Sequence, residues 1–259
     1  MCRHLVYLGA PRLLTDLVLT PPLGLLRQSY LPRDMRGAGY VNVDGFGVGW
    51  YPGGGDKAVR YRGSRPLWAD ESFAQIAAVT EAGVVLAAVR SATDGMPVVH
   101  TACAPFTDGH WLFSHNGSIA GWPGSIGALA AELPVTDLLT LDAPTDSALL
   151  WALVRARLRA GADPGRTLAE LVASVAAVAP RSRLNLLLTD GVTVYATAWG
   201  HALTTLVDRD SVTVASESYD EQPGWEQVPE GYLLRGTATT GVQCRPIEPS
   251  RTDHREGVQ

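Results

Sequence analysis

The feature that most narrows what this chain can fold into is the placement of its helical signal. Two amphipathic stretches stand back to back in mid-chain, and the segments on either side are short, apolar and punctuated by turn residues. Over residues 147–159 the side chains Leu149, Leu150, Leu153, Val154 and Leu158 fall on one helical face, and residues 168–178 repeat the pattern before Pro180 stops it. Strand-like runs precede them at 3–9, 44–51, 58–62, 84–89 and 110–114, the last ending at Asn116-Gly117, where a turn is expected. Short helices are predicted over 11–19 and 66–79. Four further strands, 184–189, 192–199, 202–207 and 212–215, read as one antiparallel meander. No Pro/Gly/Ser-rich tract divides the chain, so the expectation is a single α+β domain with sheets stacked between helical layers.

Composition removes several function classes. Hydrophobic residues are 46% and charged residues 18% of the 259, which is not the signature of a disordered chain. Twenty-six acids against 21 bases leave a net charge of −5, with no basic block to follow a phosphate backbone, so nucleic acid is not expected as a partner. No apolar run reaches the ~18 to 20 residues of a membrane span, and the N-terminus lacks the pattern of a signal peptide. No membrane partner is expected, and the location is read as cytoplasmic. Cys2, Cys103 and Cys244 are widely separated, and neither they nor the six histidines show metal-ligand spacing. No disulfide, metal or cofactor is expected, and Cys103 and Cys244 read as small, inert, buried thiols. Gly45-Phe46-Gly47-Val48-Gly49 lacks the G-x-G-x-x-G spacing and reads as close packing within a strand. Residues 2–248 form the expected domain, with Met1 removed and 249–259 a disordered tail.

Cys2 is the residue with the most chemistry in it. A small side chain at position 2 permits removal of Met1, which leaves a thiol beside a free α-amine. That amine has a reference pKa of about 7.7 to 8.0 against about 8.5 for the thiol, so nucleophile and base belong to one residue. Arg90 follows the apolar run 84–89 and sits at a strand end, where its planar fork suits a carboxylate. Asp146 directly precedes the first long helix and has an N-cap as its simplest structural role. His4 and His115 read as structural histidines.

Cys2-Arg3, Asp44-Gly45-Phe46-Gly47, Arg90-Ser91-Ala92-Thr93, Ser114-His115-Asn116-Gly117 and Asp146-Ser147 occur in one order over the first 150 residues. In that order they resemble the class II, N-terminal-nucleophile glutamine amidotransferases, and the resemblance extends over nearly the whole chain. It implies an αββα four-layer sandwich of two antiparallel sheets between helices. It implies Cys2 as nucleophile, the Asn116 side-chain amide and Gly117 N–H as oxyanion hole, Arg90 for the substrate α-carboxylate, Asp146 for its α-ammonium, and Thr93 beside Arg90 as a further hydrogen-bonding group.

No synthase domain is attached, which favours a stand-alone hydrolase of a small-molecule γ-glutamyl amide with no obligate protein partner. The alternatives are a glutaminase subunit feeding ammonia to a separate synthase and a general γ-glutamyl amidase. Residues 21–30, 65–74, 92–97 and 223–225 resemble the stand-alone γ-glutamyl hydrolases of the family, which implies γ-glutamyl-hercynylcysteine sulfoxide as substrate. Its leaving group carries a quaternary ammonium, and the loop 217–225, with Tyr219, Trp225 and three acids, is the expected place for that cation.

Overall fold

Strand β1 (Arg3–Leu13) shows in one segment how the layers arise. Leu5 and Tyr7 pack with Leu14, Leu17, Leu25 and Phe73 of short helices, whereas Val6 and Leu8 pack with Leu86, Leu112, Leu187 and Val214. Alternate residues of a strand point to opposite faces, so β1 has a helical layer on one side and a second sheet on the other. The computed structural model describes residues 2–34 and 41–248 and follows this plan throughout.

After β1 come β2 (Phe46–Trp50), β3 (Val59–Gly63) and β4 (Glu81–Val89), then β5 (Phe106–Asp108) and β6 (Trp111–Ser118). The two long helices, Asp146–Arg159 and Pro164–Val178, intervene. They are followed by β7 (Arg183–Thr189), β8 (Thr193–Ala198), β9 (Thr204–Asp208) and β10 (Ser211–Ala215). The last strands are β11 (Glu226–Gln227), β12 (Tyr232–Thr237) and β13 (Gly241–Pro246). One sheet runs β11-β9-β10-β1-β4-β2-β3 and the other β13-β12-β8-β7-β6-β5, with antiparallel pairs throughout.

Phe113, Leu186 and Leu188 turn the outer face of the second sheet to Leu149, Leu150, Trp151 and Leu171 of the long helices. The order from side to side is therefore helices, sheet, sheet, helices, the expected αββα sandwich. Gly45 and Gly47 show why the strand entering β2 is glycine-punctuated. Gly45 has φ +115°, and a Cβ on Gly47 would run into the Ala104 carbonyl, so here the second layer lies directly on the backbone.

Several boundaries differ from expectation for identifiable reasons. β1 continues through Pro11 to Leu13 because Arg12 and Leu13 pair with Ala82 and Glu81 beyond a bulge, leaving only Leu14–Val18 helical. The helix predicted over 66–79 is a short turn followed by Glu71–Ala77, started by the Asp70 carboxylate, which accepts from Phe73 N–H. The second long helix starts earlier than expected, with Asp163 as N-cap and Pro164 in its first turn. The four strands read as one meander belong to two sheets, since β7 and β8 pair in one and β9 and β10 in the other. Cys103 is buried as expected, but Cys244 lies exposed on the edge strand β13. Met1 and the tail 249–259 lie outside the described residues.

Candidate active site

Cys2 stands just before β1, and Arg90 just after β4, the neighbour of β1 in the sheet. Antiparallel pairing of Arg3 with Val89 brings the start of one strand to the end of the other. Cys2, Arg90, Phe46, Phe106, His115 and Ser147 line one small cavity, and the Cys2 thiol lies 3.7 Å from the Ser91 carbonyl oxygen. Arg90 is buried and donates to the Pro97 carbonyl at 2.9 Å. Among the described residues no carboxylate forms an ion pair with it. A buried guanidinium without a counter-charge is costly, and a ligand carboxylate would remove that cost.

His115 and Asn116 are adjacent on β6 and therefore face opposite ways. His115 looks toward the long helices, where its Nδ1 pairs with the Ser147 hydroxyl at 2.9 Å; its Nε2–H donates at 3.0 Å to the carbonyl of Arg183 at the start of β7, since a carbonyl can only accept. Asn116 shares the parity of Leu112 and faces the space between the sheets. There its Nδ2 donates to Ser216 Oγ at 3.1 Å, while Oδ1 is buried with no partner among the described residues. Asn116 lines a second small cavity with Arg3, Asp34, His201, Ala202 and Ser216.

Asn116 and Gly117 do not form the expected turn. Both are inside β6, opposite Asn185 and Leu184 of β7. Gly117 is needed there for close approach, since a Cβ would meet the backbone carbonyl of Arg183.

Asp146 is not the helix N-cap; Thr145 is, its hydroxyl accepting from Ala148 N–H at 3.2 Å. The buried Asp146 carboxylate instead accepts from Ile119 N–H at 3.1 Å, two residues beyond Gly117, and from its neighbour Ser147 N–H at 2.7 Å. It lines neither cavity, although Ser147 does. Thr93 is exposed, its carbonyl closing a turn onto Met96 N–H, and it also lies outside both cavities. Tyr219 and Trp225 are not an open cation site. Tyr219 is buried, receives Arg12 at 3.3 Å and stacks edge-to-face on Trp225, whose Nε1–H donates to Asp220 at 2.8 Å.

Residue-by-residue reading had Arg3 only in the Cys2-Arg3 motif and Glu217 only in the loop 217–225, and missed that they meet. They form a buried pair at 3.0 Å; Arg3 also donates to the carbonyls of Cys2 and Asp34, and Glu217 accepts from Arg33 N–H at 2.8 Å. The pair ties the residue after the nucleophile to the chain at 33–34. Burial holds the His4 imidazole well below its ordinary pKa and, with the charges of Arg183 and Arg3, pushes His201 down to about 3, so both are neutral. His4 Nδ1 pairs with Ser114 Oγ at 3.1 Å and Nε2 has no partner among the described residues. Burial raises the Cys103 thiol to about 11, which leaves it unreactive. The larger hollows, ≈ 530 and ≈ 280 Å³, lie against the second long helix and β13 and contain none of the candidate residues.

Among the described residues no three His, Cys, Asp or Glu side chains are placed to hold a metal ion, and no helix is long and apolar enough to cross a membrane.

The chain belongs to the class II glutamine amidotransferases, whose family model matches residues 29–210. Among its relatives is the gamma-glutamyl-hercynylcysteine sulfoxide hydrolase of Mycolicibacterium smegmatis, 44% identical over 234 residues that cover 90% of this chain and 95% of the relative. The protein of the same name from Mycobacterium tuberculosis is 42% identical over 237 residues, 92% of this chain and 93% of that one. A solved glutamine aminotransferase class-II domain protein from Silicibacter pomeroyi superposes with a TM-score of 0.69 at 23% identity, covering 96% of this chain and all of the other, a likeness of fold.

Proposed function

We propose that this protein hydrolyses the γ-glutamyl amide of γ-glutamyl-hercynylcysteine sulfoxide, releasing glutamate and hercynylcysteine sulfoxide, with Cys2 as N-terminal nucleophile once Met1 is removed. The observation that carries the site is the buried Arg90 guanidinium, without a carboxylate partner among the described residues, in the wall of the cavity that holds the Cys2 thiol. It supplies a fixed point for one end of a glutamyl group, with the thiol at the other. The choice of amide rests on the similarity to the two mycobacterial hydrolases along almost their full lengths.

In this reading the Cys2 α-amine takes the thiol proton, and the sulfur attacks the γ-carbonyl carbon. The carbonyl electron pair moves onto oxygen, where Asn116 Nδ2–H and Gly117 N–H receive the charge. Collapse breaks the C–N bond, the amine leaves with the proton held by the α-ammonium, and a glutamyl thioester remains. Water, deprotonated by the same amine, attacks the thioester, and glutamate and the free thiol result. Arg90 holds the α-carboxylate; Asp146 and Thr93 line neither cavity, and their assignment to the α-ammonium and to a further hydrogen bond rests on the family resemblance alone. The cavity at Cys2, ≈ 20 Å³, holds about one water, less space than a glutamyl group fills.

The test is an assay of the purified protein alone on γ-glutamyl-hercynylcysteine sulfoxide, glutamine and glutathione, with intact-mass analysis of protein quenched during turnover. We expect loss of Met1, a glutamyl adduct on Cys2 and a kcat/KM highest for the sulfoxide. Comparable rates on all three would make the protein a general γ-glutamyl amidase. Activity only with an added synthase would make it an ammonia-supplying subunit, and wild-type turnover by Cys2→Ala would end the mechanism.

A further inference from the structure

Between the two sheets the core is apolar until it reaches the nucleophile end. There Ser216 stands immediately after β10, on the inward parity of Val212 and Val214. Its backbone N–H donates to the His4 carbonyl at 2.9 Å, so it closes the ladder beside the strand that Cys2 begins. Its hydroxyl does more. Oγ accepts from His4 N–H at 3.0 Å and from Asn116 Nδ2 at 3.1 Å, and lies 3.3 Å from the His4 carbonyl, to which it donates. His4 is on the first sheet and Asn116 on the second, so one buried hydroxyl joins the nucleophile strand to the proposed oxyanion donor across the interface.

Among the described residues the Asn116 side chain has no other hydrogen-bond partner to compete with this one, its Oδ1 being buried and unpaired. A carboxamide free to rotate would present oxygen or nitrogen to the reacting carbonyl, and oxygen would repel the developing charge. The Ser216 hydroxyl, whose proton goes to the His4 carbonyl, offers the amide only a lone pair. It therefore selects the rotamer with nitrogen toward Ser216, and the second hydrogen of that same nitrogen remains for the oxyanion.

We infer that Ser216 is a positioning residue for the hydrolysis: it sets the orientation of the Asn116 amide and fixes it to the strand that carries Cys2. The inference rests on Asn116 acting as an oxyanion donor, as in the function proposed above. Because the oxyanion exists only after attack, misorienting the donor lowers kcat and leaves ground-state binding alone.

The experiment compares kcat and KM on γ-glutamyl-hercynylcysteine sulfoxide for wild type, Ser216→Ala, Ser216→Thr, Asn116→Ala and the Ser216→Ala/Asn116→Ala double variant. Loss of an oxyanion donor costs on the order of 10²- to 10³-fold in kcat, which bounds the effect of misplacing it. Ser216→Ala is expected to lose about 10- to 100-fold in kcat with KM unchanged, and Ser216→Thr, which keeps the hydroxyl, to recover most of that loss. In the Asn116→Ala background the serine substitution should have no further effect. An equal loss in both backgrounds, a loss confined to KM, or a wild-type kcat for Ser216→Ala would overturn the inference. If Ser216→Ala does not fold, Ser216→Cys, similar in shape but a weak acceptor, must show the same kcat loss or the inference falls. A wild-type kcat for Asn116→Ala would instead refute the oxyanion assignment itself, which separates failure of the proposed chemistry from failure of this inference.

Discussion

Replacing Gly117 by alanine tests whether the backbone at the proposed oxyanion hole is held as tightly as the structure shows. A Cβ built at 117 would lie 2.5 Å from the carbonyl carbon of Arg183, closer still to its oxygen, and 2.7 Å from His115 Nε2. Carbon atoms in contact settle at roughly 3.5 to 4.0 Å, so β6 and β7 must separate by about 1 Å at this point. The neighbour is backbone within a paired strand, opposite in register at Leu184, and has no rotamer change by which to give way. Overpacking of this kind costs about 1–3 kcal/mol, which at ~2 to 4 °C per kcal/mol for a chain of this size lowers Tm by about 2 to 12 °C. A shift of about 1 Å in a catalytic group costs on the order of 10²-fold in rate. The expected result is a folded enzyme with lower Tm, kcat down by about 10²-fold and KM little changed, read by parallel thermal melts and steady-state kinetics. A lowered Tm with wild-type kcat would show that the Gly117 N–H does not meet the oxyanion. A wild-type Tm would refute the packing argument from which the magnitude comes.

Arg90→Lys should lose about 10- to 100-fold in kcat/KM on the γ-glutamyl substrate, since a point charge replaces a two-pronged donor, and the deficit should vanish on an analogue lacking the α-carboxylate. An equal deficit on that analogue would remove Arg90 from substrate recognition. Glu217→Ala removes one buried charged acceptor from the Arg3 guanidinium and from Arg33 N–H and should destabilise the fold by about 1–3 kcal/mol in urea titrations, with Glu217→Gln also destabilising; an unchanged midpoint would show the pair to be dispensable. His4 and His201 are neutral when folded but ionise near 6.5 once unfolded, so from pH 6.5 down toward about 3 the unfolded chain binds more protons and stability falls as pH falls. His201→Gln should flatten that slope, and a slope unchanged by the substitution would place the titrating group elsewhere.

Local pattern carried the layers and the candidate residues; long-range pairing decided what it could not. The two long helices were legible because their apolar faces and stop signals are local. Asn116-Gly117 misled for the same reason. The dipeptide favours a turn, but β7, nearly 70 residues later, supplies partners in Asn185 and Leu184 and holds it extended. Asp146 read as a cap until Thr145, one residue earlier, took that role and freed the carboxylate for Ile119. The loop 217–225 was chosen for its composition, yet its two aromatic side chains, Tyr219 and Trp225, are consumed in packing on each other. Glu217, its first residue, is the one that reaches the strand start beside Cys2.

Alternation along three strands explains why the site lies where it does. On β1 the inward positions read His4, Val6, Leu8; on β6 they read Leu112, Ser114, Asn116; along β10 and just past it they read Val212, Val214, Ser216. β1 and β10 are antiparallel neighbours, and in all three the inward face is apolar at one end and polar at the other. The polar ends coincide, where His4 pairs with Ser114 and Asn116 with Ser216. Burying such groups costs free energy unless they are bonded, and these pairings offset most of it without closing every valence. His4 Nε2, Asn116 Oδ1 and His201 Nε2 have no partner there among the described residues. A reaction that creates charge in a low-dielectric interface needs donors already held in place, and the end of the inter-sheet layer is where this fold buries the Asn116 amide, oriented by Ser216, beside the strand that Cys2 begins. The same alternation continued as Leu or Val at 4, 114, 116 and 216 would pack as core and do no chemistry.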